Sequence, residues 1–337
     1  MNPFYAAAQA LVRARMSRLL SHGAWRCLLD CESHAELGAC LRGSWVESAF
    51  TGETAAPLRK LRGELAAAEV SIARFLPRAS RILLNWYNRR FDIENLKILL
   101  RSIHHGVDRA RSAATLIPLS TSRLAWPSLL EARSIVELAD RLRDTPYARP
   151  LEQAMERYQQ EKRLFHLEVA MDLFYFQRLV LMIECRGGDA EADAREQLGR
   201  WIAVQNLVWA FRYRIYGHLS VEEILNYTLH RAFAVGLEAV RRVALGAPLA
   251  AEAQRLGFRL DPGRSEVEGL TELEVLVERE RYARAASLLR HPIFRFGGVL
   301  AYLTLLECEI RDLGVIIEGR AAGLSRQDIT ARLLRAA

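Results

Sequence analysis

Apolar residues recur along this chain at spacings of three and four, which is the period of an α-helix. Leu58, Leu61, Leu65, Ala68, Ile72 and Phe75 form one such stripe and predict a helix over about 57–76. Phe4, Ala8, Leu11, Arg15 and Leu19 predict another near the start. Met155, Tyr158, Phe165, Val169, Phe176 and Val180 predict a single long helix over about 151–183. No series of alternating segments rich in Val, Ile and Thr and bounded by turns is present, so no strands are expected. The expected fold class is all-α. Start signals agree: Ser33-x-x-Glu36, Ser134-x-x-Glu137, Ser220-x-x-Glu223 and Thr271-x-x-Glu274 fit the reciprocal capping box. Pro57 and Pro150 stand where a first helical turn tolerates a missing N–H.

The pattern also repeats on a larger scale. The segment Ile93-Glu94-Asn95-Leu96 runs to Gly106, Val204-Gln205-Asn206-Leu207 runs to Gly217, and Ile310-Arg311-Asp312-Leu313 runs to Gly323. The three align without gaps up to the closing glycine. A capping residue follows each: Asp108, Ser220 and Ser325. Each copy reads as helix, left-handed stop at glycine, new helix. Asn inside a helix is unfavourable by propensity, so these side chains are expected to hydrogen-bond a neighbouring helix or loop. A second repeat pairs Ser33-x-x-Glu36-Leu37 through Ser44 with Ser134-x-x-Glu137-Leu138 through Thr145. These repeats divide the chain into three related helical modules, 1–107, 108–218 and 219–337.

Composition narrows the function. Of 337 residues 51% are hydrophobic and 26% charged, which excludes disorder, and no apolar run approaches the roughly 20 residues of a spanning helix. No secretory signal is visible in Met-Asn-Pro-Phe-Tyr, and five cysteines without paired spacing predict no disulfide framework and a reducing compartment. The net charge of +7 is concentrated in the first module, and only Lys60, Lys97 and Lys162 among the basic residues are lysines. An arginine-rich first module allows an alternative reading, a helical scaffold or regulator that binds nucleic acid. No basic block of five or more occurs, however, and salt-bridged helix faces account for the arginines.

Against this background the segment from Leu84-Asn85-Trp86-Tyr87-Asn88-Arg89-Arg90-Phe91 through Arg101 resembles the signature of the C-subunit family of V/A-type rotary ATPases, whose eukaryotic equivalent is the d subunit. Tyr5-Ala6-Ala7-Ala8 with Arg13-Ala14-Arg15 is similar to that family's opening helix. Thr145-Pro146-Tyr147-Ala148 and the run from Gly298-Val299-Leu300-Ala301-Tyr302-Leu303 to Leu313 match later parts, and 242–270 matches least. The resemblance implies three homologous modules in a pseudo-threefold funnel or socket. It implies a non-catalytic rotor subunit, peripheral on the cytoplasmic face of the membrane. The partners implied are the membrane proteolipid ring and the D and F subunits of the central shaft, with no nucleic acid, no membrane span of its own and no cofactor.

The chain's own chemistry is sparse. Cys27, Cys31 and His34, with Cys40 beyond, could gather on one helix face as a zinc site, but the spacing fits no usual knuckle, and small buried residues are the expected reading. His104-His105 suit a helix C-terminus. Glu307 and Glu309 point to different faces and form no acid/base pair. No phosphate loop of the GxxxxGK[ST] type exists. Gly297-Gly298 reads as a turn, and most of the six tryptophans as core. No catalytic, cofactor or metal residue is assigned. Asn95, Asn206, Asp312, Gly106, Gly217 and Gly323 are structural repeat positions.

Overall fold

The period of three and four becomes helix almost throughout the computed structural model, which describes residues 5–31, 34–50, 56–185, 189–233, 235–290 and 295–335. Among them no strand occurs. The first third holds α1 (Ala6–Met16), α2 (His22–Asp30), α3 (His34–Cys40), α4 (Glu47–Phe50), α5 (Pro57–Ala73), α6 (Arg78–Asn88) and α7 (Arg90–His104). The middle holds α8 (Arg109–Thr115), α9 (Trp126–Leu129), α10 (Ile135–Arg141), α11 (Ala148–Glu161), α12 (Phe165–Glu184) and α13 (Asp189–Ile215). The last third holds α14 (Val221–Asn226), α15 (Leu237–Ala244), α16 (Leu249–Arg255), α17 (Glu266–Leu289), α18 (Phe296–Ala321) and α19 (Arg326–Arg332).

Several boundaries differ from the sequence pattern for local reasons. The long helix over 151–183 is two helices: Lys162 ends α11 in the left-handed conformation at φ 55°. The apolar stripes on either side continue in phase, which hid the break. Thr271 lies inside α17, whose true cap is Ser265, with Glu268 closing a reciprocal box. Ser220 and Glu223 form the other complete box. Ser134 caps α10, but the carboxylate of Glu137 takes the N–H of Arg133 instead of returning to Ser134. Ser33 lies outside the described residues. In α5 the buried edge is Leu61, Leu65, Glu69 and Ile72, and Phe75 falls beyond the helix end, half exposed. Gly297 and Gly298 are helical, not a turn. A Cβ on Gly297 would meet Asp193 Cβ at 2.4 Å, so glycine here permits α18 to lie against α13.

The long helices pack in succession. α7 lies on α12, α13 lies on α17 and α18, and α18 returns to pack on α5 and α1. One hydrophobic core runs from Tyr5 to Leu333 through all of these. A smaller core gathers α14, α15 and α16 against the C-terminal half of α13, around Phe211, Val240 and Leu273. No helix among the described residues is long and apolar enough to cross a membrane.

One close approach fixes the seat of the segment after α8. A Cβ at Gly63 would lie 2.6 Å from the carbonyl oxygen of Pro118 and 2.7 Å from its Cγ. Gly63→Ala should therefore destabilise the chain by about 1–3 kcal/mol. Gly38→Ala, where the nearest atom lies 3.5 Å away, should be neutral or stabilising. Urea denaturation of the two variants checks the difference.

Candidate functional site

The repeat positions carry one device three times. Asn95 Nδ2 donates to the carbonyl of Ile117 (2.9 Å) and its Oδ1 accepts that residue's N–H (2.8 Å). Asn206 does the same to Leu229, at 2.9 and 2.7 Å. Both side chains are buried, and each pins the stretch that follows the next short helix. Asp312 cannot donate, so it accepts the N–H of Leu334 (2.9 Å) and, in place of the carbonyl, the Nε–H of Arg335 (3.3 Å). Between long helix and clamp, Asp108, Ser220 and Ser325 each accept an amide N–H at the start of α8, α14 and α19. Gly106 and Gly323 are left-handed, at φ 66° and 70°. Gly217 is not: the left-handed residue there is His218, at φ 49°, because the stop falls one residue later.

Five residues ahead of each clamp stand Arg90, Trp201 and Glu307, and these converge. Arg90 opens α7 and makes a two-pronged ion pair with Glu69 of α5, which is wholly buried. It also reaches Glu307 of α18 at 3.2 Å. Arg281 of α17 donates to Glu307 (2.9 Å) and Glu278 (2.9 Å) and lies over the ring of Trp201. Tyr87 sits beneath Arg90, 3.9 Å from its ring centroid, and edge-on to Trp201. Asn88 adds a donor to Glu69 at 2.9 Å. Burial acts to raise the Glu307 carboxyl, but the charges of Arg90 and Arg281 overcome it and hold the group down at about 2. Burial wins at Glu69, whose carboxyl is raised despite Arg90.

A second polar cluster ties the two ends of the chain. Glu309, buried, accepts the N–H of Leu20 (3.0 Å) and the indole N–H of Trp45 (2.7 Å). Burial pushes its carboxyl up to about 7. Arg335 stands 3.6 Å from Glu309 and lies 3.8 Å over the ring of Trp25. Glu307 and Glu309 thus serve separate networks. The arrangement is chemically one of fixation: the carboxylates of both networks are held by cations and N–H donors.

Other singled-out residues fall into place around these. His104 ends α7 and meets the hydroxyl of Tyr158 at 3.2 Å. Trp25, Trp86 and Trp209 are core, and Trp45, Trp126 and Trp201 are half-buried. The cysteines depart from expectation. Cys27 and Cys40 are joined as a disulfide, and Cys31 lies beside them. Cys27 sits on α2 and Cys40 on α3, so the group joins two helices and does not lie on one helix face. The side chain of His34 lies outside the described residues. Sequence pattern alone did not single out Glu69, Arg90 or Arg281. The available signal was Glu69 itself, a carboxylate four residues beyond Leu65 on an otherwise apolar stripe.

The family model for the ATP synthase (C/AC39) subunit matches residues 8–332. The chain is 23% identical to the C subunit of the A-type ATP synthase of Methanosphaera stadtmanae, over 98% of this chain and 88% of that one. It is 24% identical to the protein of the same name from Methanocaldococcus jannaschii, over 98% and 86%. With that of Halorubrum lacusprofundi it shares 26% identity over 99% and 97%.

Removing the central cation should be severe. Arg90→Ala removes the cation that faces the buried Glu69 and should cost about 3–5 kcal/mol. Asn206→Ala orphans both backbone groups of Leu229, at about 1–3 kcal/mol each. Both are read as thermal or urea midpoints. Because the Glu307 carboxyl is depressed from 4.5 to about 2, its contribution is complete above pH 4.5 and is lost as pH falls toward 2. Glu307→Gln should flatten that part of the acid limb in a stability-versus-pH series.

Proposed function

This chain belongs to the ATP synthase (C/AC39) subunit family, and from that premise we propose that it is a non-catalytic central-rotor subunit of a V/A-type ATPase or ATP synthase. In this reading it connects the D and F subunits of the central shaft to the membrane proteolipid ring. It turns with both and passes torque between them during proton or sodium translocation. It sits peripherally on the cytoplasmic face, with no nucleic acid among its partners. Residues 1–107, 108–218 and 219–337 are its three modules, arranged as a socket about a pseudo-threefold axis.

The observation that carries the reading is the closure of the chain on itself. α18 packs on α5 and is locked there by Arg90 and Glu307, while α7 lies on α12 and α13 on α17. A body passing torque between a soluble shaft and a lipid-embedded ring must not shear between its parts. Buried ion pairs and amide clamps resist shear better than apolar contact alone, because they lose energy steeply with small displacements. The match over residues 8–332 supports the same reading along nearly the whole length.

The test is affinity capture of the tagged chain from gently solubilised host membranes, with bound proteins identified by mass spectrometry. Co-recovery of proteolipid and shaft proteins in fixed proportion is the expected result. Recovery of nucleic acid or of unrelated soluble proteins, with no ATPase component, would overturn it. Arg90→Ala should still be captured with its partners but should uncouple hydrolysis from ion pumping in membrane vesicles at elevated temperature.

A further inference from the structure

Three cysteine side chains converge between α2 and α3. Cys27 lies on α2, Cys31 is its C-terminal capping residue, and Cys40 ends α3. Their sulfurs all lie within 4.8 Å of one another. Cys27 and Cys40 form the disulfide, with Cα atoms 5.8 Å apart. Cys31 takes no part in it, yet its Sγ is 3.3 Å from that of Cys40 and 3.1 Å from the carbonyl of Cys27. A structural cross-link needs two sulfurs, so the third has no role in it.

One cation faces the cluster. Arg320 of α18 donates to the carbonyl of Leu29, and its Nε is buried without a hydrogen-bond partner among the described residues. Burial, with the carboxylates of Glu36 and Asp30, raises the Cys31 thiol, and the Arg320 guanidinium opposes them. Three thiolates around a divalent ion carry a net charge of −1, two fewer negative charges than the thiolates alone, so a bound ion would hold them ionised where burial otherwise opposes it. Thiolates select Zn²⁺ and Cu⁺ over hard cations. With Zn–S bonds of about 2.3 Å, two sulfurs on one tetrahedral ion sit roughly 3.8 Å apart, a spacing this cluster reaches with small side-chain rotations.

We propose that the reduced Cys27, Cys31 and Cys40 side chains form a three-thiolate site for a soft d¹⁰ cation, Zn²⁺ above all, and that the Cys27–Cys40 disulfide is the metal-free, oxidised form of the same cluster. A hydroperoxide supplies the oxidant. The Cys27 and Cys40 thiolates give up two electrons, their S–S bond forms and the metal–sulfur bonds break. The peroxide O–O bond is reduced, takes two protons and leaves as water and alcohol (two waters from hydrogen peroxide). The ion departs. The site is independent of the rotor reading, since it asks nothing of any partner protein.

The experiment uses the full chain, purified with a non-thiol reductant and stripped of metal. Zn²⁺ is titrated against a chromophoric chelator, and Co²⁺ serves as a spectroscopic probe. The expected result is one ion per chain, a tetrahedral Co²⁺ spectrum with thiolate charge-transfer intensity for three sulfurs, and release of the ion by hydrogen peroxide with loss of two thiols. Cys31→Ser is decisive, because it leaves the disulfide pair intact. It should bind Zn²⁺ about 100-fold more weakly and lose about one third of the charge-transfer intensity, while still forming the Cys27–Cys40 bond on oxidation. Absence of stoichiometric Zn²⁺ in the reduced wild type overturns the proposal, as does undiminished affinity in Cys31→Ser. The wild-type Co²⁺ intensity counts sulfurs without any variant, so a Cys31→Ser chain that fails to fold does not rescue it: intensity for two thiolates overturns it too.

Discussion

Arg90 reaches Glu69 on one side and Glu307 on the other, and through them holds α5, α7 and α18 at one point. Glu69 is wholly buried, and a carboxylate in that position is tolerable only while a guanidinium faces it. The pairing is a constraint more than a source of stability. An apolar substitute of the same volume could fill the space equally well, but it would not care which helix lay opposite. Charge makes the return of the last long helix to the first one specific, in a chain whose long helices otherwise present similar apolar faces.

The all-helical class was legible because burial on one face of a helix writes its period directly into the sequence. The clamps were legible for the opposite reason. Asn95 and Asn206 are poor helix residues, and their cost in the helix is repaid by a pair of backbone hydrogen bonds outside it. What periodicity could not show was the interruption at Lys162, since apolar stripes on two successive helices stay in phase across three residues. Thr271 misled because Thr-x-x-Glu also occurs on the solvated face of a helix already under way, as it does in α17. The central ion pairs were hidden because partners from distant segments leave no mutual signature in a single chain. Glu69 was passed over too, because the apolar stripe reads through its neighbour Ala68.

The third clamp differs from the other two in its chemistry. Asp312 has no N–H to offer, and the role passes to Arg335, which then also neutralises Glu309 and stacks on Trp25. With a carboxylate where the other two clamps have an amide, the third is a junction between the two ends of the chain.

The clamps and the central pairs also differ in how far apart their partners lie along the polypeptide. Each clamp joins residues 22 or 23 positions apart, whereas Arg90 and Glu307 are separated by 217. Short loops close early and long ones late. On the ribosome each helix-and-clamp unit can set as soon as it emerges, with Arg90 already paired to Glu69 only 21 residues upstream. The groove that α18 fills stays open until α18 itself has been made. Closing the groove along α5 is therefore a non-local step, set by a contact that spans 217 residues.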